Sequence, residues 1–180
     1  CIYGGMKLSK EFRFFTYLLE SYAQHKNTTA GAVLKTLDEK GLTDFVYTKG
    51  NADGIDKTLS YLDQNFEGLC FINLVDFDML YGHRNDIEGY AKALTAFDEA
   101  LPEIMHKMRE DDLLMITADH GCDPGYTCST DHSREYTPLV MYGKNLSPGN
   151  LGTRKTFADI GATVLHALSV EGNIAGESVL

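Results

Sequence analysis

Two Asp-His pairs stand in the segment TADHGCDPGYTCSTDHSREYTP, which occupies residues 117–138. The pairs are Asp119-His120 and Asp131-His132, and the residues around them are rich in Gly, Pro, Ser and Thr, as in a loop. Carboxylates and imidazoles that are drawn to one place repel or desolvate one another unless a cation lies among them. Mixed oxygen and nitrogen ligands suit a divalent transition metal such as Mn or Zn.

Short apolar runs alternate with longer helical patterns along the chain. The runs predict buried strands at residues 44–48, 69–75, 112–119 and 138–143. Apolar side chains recur every three or four positions in residues 87–110 and in TFADIGATVLHAL, as in amphipathic helices. Pro102 lies inside the first of these patterns and predicts a kink or a fresh helix start there. The alternation predicts an α/β fold with a mostly parallel sheet and helices on both faces.

The polar clusters follow the predicted strands directly. LCFINLV leads into DFDMLYGHRND, which places Asp78 and His83 just past one strand end. DLLMITAD leads into DHGCDPG, which places Asp119 and His120 past another. Because open α/β sheets bind ligands beyond the carboxyl ends of their strands, we expect these side chains and His132 to share a site.

Neighbouring residues of a strand point to opposite faces, so Asp119 and His120 can serve one site only if the backbone leaves strand geometry. Gly121 permits that departure, and Gly82 permits a turn that brings Asp78 and His83 together.

Other polar residues near the strand ends have simpler interpretations. Asp76, Asp86 and Asp123 fit turn formers or helix caps. The four cysteines form no CxxC pair and are interpreted as free thiols in a reducing compartment, although Cys122 and Cys128 flank a turn and could bridge or bind metal.

Composition limits the classes of partner. The chain of 180 residues is long enough for one domain, and 16 basic against 26 acidic residues give a net charge of -10. That charge argues against nonspecific binding to nucleic acid or to an anionic membrane. No apolar stretch approaches the roughly 20 residues of a membrane-spanning helix, so we expect no span of a bilayer, and the free thiols fit a cytoplasmic protein. A phosphate-bearing small molecule would need local positive charge, such as a metal ion.

Four motifs resemble the phosphopentomutases, a bacterial family of the alkaline phosphatase-like superfamily. They are NLVDFDMLYGHRND, DDLLMITADHG, TDHSREYTPLVMYG and TFADIGATV, and they occur in the order of that family. The resemblance implies an alkaline phosphatase-like core. It also implies a two-manganese phosphotransferase that interconverts ribose or deoxyribose 1-phosphate with the 5-phosphate.

The same resemblance implies roles for particular residues. One manganese would be held by Asp78, His83 and His132, and the other by Asp119 and His120, while Zn remains an alternative metal for such ligands. Asp131 would orient its neighbour or form a turn. Arg84 and Arg134 would either contact phosphate or pair with a neighbouring carboxylate.

The sequence also departs from the family pattern. The family has a further metal-binding aspartate and a nucleophilic threonine in its amino-terminal half, and neither motif is found here. Residues 41–180 therefore correspond to an incomplete, carboxyl-terminal part of the core, and residues 1–40 to an unassigned segment, a cap remnant or a linker. In AGAVLKTLDEKG, Ala32 stands where the family has a Gly-Lys-Ile stretch, with Lys35 nearby.

We therefore expect the isolated chain to be inactive and to self-associate through an exposed sheet edge. Three alternatives remain: a non-catalytic metal-binding remnant, a related phosphohydrolase, and a phosphoglycerate mutase. The spacing of LVDFD and YGHR favours the phosphopentomutases over the last two.

Overall fold

The computed structural model describes Leu37 and residues 39–180 of the chain. Residues 1–36, which include Ala32 and Lys35, lie outside the described residues, so the interpretation of the segment 1–40 stays a prediction. The strands are β1 (Thr43–Val46), β2 (Leu69–Ile72), β3 (Leu114–Thr117) and β4 (Leu139–Tyr142). The helices are α1 (Asn51–Leu62), α2 (Ile87–Lys107) and α3 (Ala158–Ala167). A π-helical turn (Phe77–Tyr81) and a 3-10 turn (Gly82–Arg84) connect β2 to α2.

The four predicted strands form two hydrogen-bonded pairs. β1 and β2 are parallel, with Thr43 opposite Leu69, and β3 and β4 are antiparallel, with Leu114 opposite Tyr142. The α/β class is confirmed, and one of the two described pairs is parallel. Residues 118–138 contain no helix that could act as a crossover, so β4 returns beside β3 in the opposite direction.

Side chains on the strands alternate between two apolar clusters, and different helices cover the two sides. Leu69 and Met115 pack in one cluster with residues of α3. Cys70, Ile72 and Leu114 pack in the other with residues of α1 and α2. Both strand pairs contribute to both clusters, which is the arrangement of a strand layer with helices on its two faces.

Helix α2 is the long element that flanks the end of β2. Asp86 caps its first turn by accepting a hydrogen bond of 2.9 Å from the backbone N–H of Gly89. At the other end the Lys107 ammonium contacts both carboxylate oxygens of Asp63, just after α1, at 2.7 and 2.8 Å. The helix runs through Pro102 as one element, so the alternative of a fresh start there is wrong. No helix in residues 37 and 39–180 combines the length and apolarity needed to cross a bilayer.

Asp76 ties the segment after β2 to the start of α1. Its carboxylate accepts from the backbone N–H of Asn51 at 2.8 Å, and its own N–H donates to the Asn51 side chain at 3.0 Å. A side chain at Gly50 would meet the same carboxylate at 3.0 Å. Asp76 therefore acts as a helix cap, as the simpler interpretation predicts, and this bond fixes where the chain turns toward Asp78.

Candidate metal centre

A cavity of about 800 Å³ lies where the carboxyl ends of β2 and β3 meet. Its lining includes all five predicted ligands, which are Asp78, His83, Asp119, His120 and His132. Much of the remaining wall is apolar, with Tyr90, Leu94 and Phe97 of α2 facing the same space. The structure thus brings together residues that span 55 positions of the sequence, counted from Asp78 to His132 inclusive.

Asp78 is the carboxylate that two imidazoles share. Its Oδ2 lies 3.3 Å from Nε2 of His83, and its Oδ1 lies 3.6 Å from Nε2 of His132. Oδ1 is buried and has no hydrogen-bond partner. A buried carboxylate oxygen without a donor is costly, so this atom is suited to a cation as its partner.

Backbone carbonyls orient two of the histidine rings. His83 contacts the carbonyl of Thr130 through Nδ1, and His120 contacts the carbonyl of Gly121 through Nδ1 at 3.1 Å. A carbonyl only accepts, so each Nδ1 carries a proton, and in the neutral imidazole Nε2 then keeps a free lone pair. That tautomer leaves Nε2 available as a ligand, and in both rings Nε2 lies near a carboxylate of the site, that of Asp78 for His83 and that of Asp119 for His120.

His132 lies between His83, which contacts Asp78, and His120, which contacts Asp119. Its ring stacks on that of His120 with centroids 3.5 Å apart and an angle of 17°, and it lies 4.9 Å from the ring of His83. Two three-residue clusters have one potential ligand atom from each member within 4.8 Å of the others. They are Asp78, His120 and His132, and His83, Asp131 and His132. Residues of this type at this spacing fit a divalent transition metal.

Asp119 and His120 follow β3 closely. The strand ends at Thr117, so the backbone has left strand geometry before Asp119, as the prediction required. Nε2 of His120 lies 3.5 Å from Oδ1 of Asp119. The pair therefore faces one space even though its members are adjacent in the sequence.

The two glycines near the ligands serve a different purpose from the one predicted. Neither Gly82 nor Gly121 has a positive φ. A side chain at Gly82 would meet Sγ of Cys122 at 2.3 Å, and one at Gly121 would meet backbone atoms of Ser133 and Glu135 at 2.7 Å. Glycine is required at both positions because another segment packs directly against the backbone, rather than for conformational freedom.

The charge of the cavity is negative. Asp78 and Asp119 contribute carboxylates, and no Lys or Arg is among the described residues that line it. Burial, and after it the charge of Asp78, raises the pKa of the Cys122 thiol, and burial likewise raises the pKa of Tyr90. Both groups are therefore neutral near pH 7, and the two carboxylates have no described Lys or Arg in the cavity to balance them. A bound cation fits that charge.

The remaining predicted residues lie around the cavity rather than in its wall. Arg84 is exposed and donates to the carbonyl of Met79, and Arg134 is exposed. In the described part of the chain neither forms an ion pair with a carboxylate, and neither lines the cavity. Asp131 accepts a 2.8 Å hydrogen bond from the backbone N–H of His132, which agrees with an orienting role.

Two simpler interpretations are borne out by the geometry. Asp123 accepts from the backbone N–H of Gly125 at 2.8 Å, as a turn former does. Cys122 and Cys128 are free thiols, so they form no bridge with each other.

Sequence reasoning missed Asn85. Its side-chain amide contacts three carbonyls of the loop that leads to His132. The sequence signal was available, since Asn is the residue after Gly that most readily adopts the left-handed conformation, and Asn85 has φ 51° just before the cap Asp86.

Comparisons with known proteins agree with this chemistry. Residues 24–172 match the family model described as the Metalloenzyme superfamily. The chain belongs to the Metalloenzyme superfamily. It is 64% identical over 141 residues to the phosphopentomutase of Lachnoclostridium phytofermentans, an alignment that covers 78% of this chain and 36% of that protein. It is 56% identical over 157 residues to the phosphopentomutase of Acetivibrio thermocellus, which covers 87% of this chain and 40% of that protein. The resemblance to phosphopentomutases is thereby confirmed, and with it the use of divalent metal by this family.

A solved structure supports the fold. A phosphoglycerate mutase of Leishmania mexicana, crystallised at low cobalt concentration, superposes with a TM-score of 0.55 at 21% identity. The match covers 71% of this chain and 27% of that chain, and it supports the predicted alkaline phosphatase-like α/β fold. The chain spans about two fifths of the length of the curated relatives named above.

Proposed function

We propose that this chain is the metal-binding part of a phosphopentomutase, which interconverts ribose or deoxyribose 1-phosphate and the corresponding 5-phosphate. The observation that carries the proposal is the position of Asp78, whose half-buried carboxylate faces Nε2 of both His83 and His132 and has one buried oxygen, Oδ1. The identity of 64% to a phosphopentomutase over 141 residues supports this reaction over those of other metal-dependent enzymes.

We propose that two manganese ions are the metals. Asp78, His83 and His132 would hold one, Asp119 and His120 would contribute to the other, and Asp131 would support His132 through its backbone. When bound, the two cations supply positive charge that holds the phosphoryl oxygens and offsets their charge during transfer. The free Nε2 lone pairs and the uncompensated carboxylates support this set of ligands.

The residues of this chain have three further tasks in that proposal. The carbonyls of Thr130 and Gly121 keep the protons of His83 and His120 on Nδ1, away from the site. The apolar side chains of α2 would line the space beside the phosphosugar and lower the local dielectric constant, which strengthens electrostatic interactions there. Asp131 holds the backbone of His132 in place.

The proposed substrate is a small phosphosugar. A net charge of -10 disfavours polyanionic partners such as nucleic acid, and we assign the protein to the cytoplasm. We also propose that the chain self-associates through β4. This strand pairs only with β3 among the described strands, and Val140 on it is 52% exposed.

A chimera tests the proposed function. The 141 aligned residues of the Lachnoclostridium phytofermentans phosphopentomutase would be replaced by those of this chain. We expect the chimera to convert ribose 1-phosphate to the 5-phosphate in the presence of Mn²⁺. His83→Ala in the chimera should lower activity by about a hundredfold or more, because a ligand is lost. His106→Ala is the matched control, since His106 is exposed on α2 and does not line the cavity. A folded chimera without Mn²⁺-dependent conversion would contradict the proposal.

One observation favours a second candidate, a metal-binding module without catalysis of its own. Thr117 and Tyr90 carry the hydroxyls in the described cavity wall. Oγ1 of Thr117 donates to the carbonyl of Pro138 at 2.8 Å, and Tyr90 is a neutral phenol. The described wall thus offers no free hydroxyl as a nucleophile, so the 180-residue chain assayed alone should bind Mn²⁺ with little turnover. Full turnover by that chain would contradict the need for a threonine from outside the described residues.

A further inference from the structure

The loop that carries His132 is exposed and has few contacts. An antiparallel bridge between Gly121 and Ser133 closes its base, with a 3.0 Å bond from the N–H of Ser133 to the carbonyl of Gly121. Almost every residue from 123 to 132 is exposed, so apolar packing does little to fix the tip. The position of His132 therefore depends on the few polar contacts that reach this loop.

Asn85 supplies most of those contacts at the tip. Its Nδ2 lies 2.9 Å from the carbonyl of Tyr126 and 3.3 Å from the carbonyls of Pro124 and Ser129. One amide group thus holds three carbonyls from a loop about forty residues later in the sequence. Its backbone is left-handed, with φ 51°, and this conformation directs the turn after His83.

The contacts of Asn85 connect two segments that carry ligands. His83, two residues earlier, contacts the carbonyl of Thr130 in the same loop. His83 lies close to Asp78, and the loop ends at His132. These bonds therefore set the distance between His132 and the segment that carries Asp78 and His83. Because the Asn side chain is short and has few rotamers, holding it in these contacts costs little conformational entropy.

We propose that Asn85 is a positioning residue that holds the loop 122–132 against the turn after β2 and so sets the metal affinity of the Asp78, His83 and His132 group. This inference rests on the proposed metal site. Its first part, the attachment of the loop, does not depend on any metal.

Two variants separate the side chain from the backbone conformation. Asn85→Gly removes the amide and keeps the left-handed backbone without strain. Asn85→Asp keeps the size of the side chain but presents a carboxylate, which only accepts, to three carbonyl oxygens. Asn145→Gly is the matched control, because Asn145 also donates its side-chain amide to a carbonyl, that of Glu110 at 2.8 Å, away from the cavity.

Hydrogen exchange of the metal-free 180-residue chain measures the attachment of the loop. We expect the amides of residues 122–132 to exchange faster in Asn85→Gly and fastest in Asn85→Asp, with β2 and β3 unchanged. Titration with Mn²⁺, followed by electron paramagnetic resonance, measures the affinity. The dissociation constant should rise by about tenfold or more in Asn85→Gly, as for other residues that support a ligand, and should be unchanged in Asn145→Gly.

The outcomes are distinct. Faster exchange confined to the loop together with weaker Mn²⁺ binding supports the inference. Unchanged exchange in both Asn85 variants overturns it, and so does an unchanged dissociation constant in Asn85→Gly. Faster exchange across β2 and β3 would mean a general loss of structure and would also overturn a positioning role. If the unsubstituted chain binds no Mn²⁺, the proposed function and the affinity part of the inference both fail, while the exchange result still decides whether Asn85 holds the loop.

Discussion

Asp78→Asn is the substitution that most directly tests the metal centre. The change keeps the shape of the side chain and removes its charge. In the metal-free protein we expect no loss of stability, because Oδ1 of Asp78 is buried without a hydrogen-bond donor and the replacement removes an uncompensated charge. In the presence of metal we expect the substitution to lower the free energy of unfolding, because the carboxylate that faces both His83 and His132 is lost.

The magnitude follows from linkage between binding and folding. At free Mn²⁺ about 100 times the dissociation constant, one site stabilises the folded chain by about 2.7 kcal/mol. For a chain of this size that corresponds to a rise in Tm of about 5–11 °C. Substitution of a residue that only supports a ligand typically lowers metal affinity by about 10–100-fold. We therefore take a hundredfold loss of affinity as the minimum for substitution of Asp78 itself. At the same Mn²⁺ concentration, metal binding then stabilises the folded variant by only about 0.4 kcal/mol, which raises its Tm by about 1 °C.

The assay is thermal unfolding of the 180-residue chain with and without Mn²⁺. Asp56→Asn is the matched control, since Asp56 is exposed on α1 and lies outside the cavity. The control should keep the full Mn²⁺-induced rise in Tm. If Asp78→Asn shows the same rise as the unsubstituted chain, Asp78 is not a ligand and the proposed centre is wrong. A large fall in Tm without metal would refute the reasoning about its unpaired oxygen.

Two further predictions concern packing and the sheet edge. Gly82→Ala places a methyl group 2.3 Å from Sγ of Cys122, so we expect a loss of about 1–3 kcal/mol in urea unfolding, whereas Gly149→Ala, which has open space around it, should be nearly neutral. Equal stability of the two variants would show that Cys122 moves aside freely. If β4 mediates self-association, Val140→Lys should lower the molecular mass measured by light scattering, while Asn150→Lys, the same charge change in an exposed loop, should not. A monomeric unsubstituted chain would contradict the proposed association.

The sequence predicts the α/β class and the identity of the clustered side chains because both depend on local patterns. Apolar runs followed directly by Asp and His locate strand ends, and chain segments that leave neighbouring strands at one edge lie close together. The simpler interpretations of Asp76, Asp86 and Asp123 also depend on local capping and turn chemistry, although the cap made by Asp76 belongs to a distant helix. The direction of β4 was harder to predict, because an apolar run has the same pattern in either direction.

The sequence by itself indicated that Asp78, Asp119 and His120 reach one site, because they follow apolar runs closely and so lie past strand ends. Only the tertiary structure decided how they meet. Asp78 lies between His83 and His132, the ring of His132 stacks on that of His120, and Asn85 reaches a loop some forty residues away. These contacts depend on distances between segments that are remote in the chain. Such distances are set by packing of the whole layer rather than by local sequence, as the crowding at Gly82 and Gly121 illustrates.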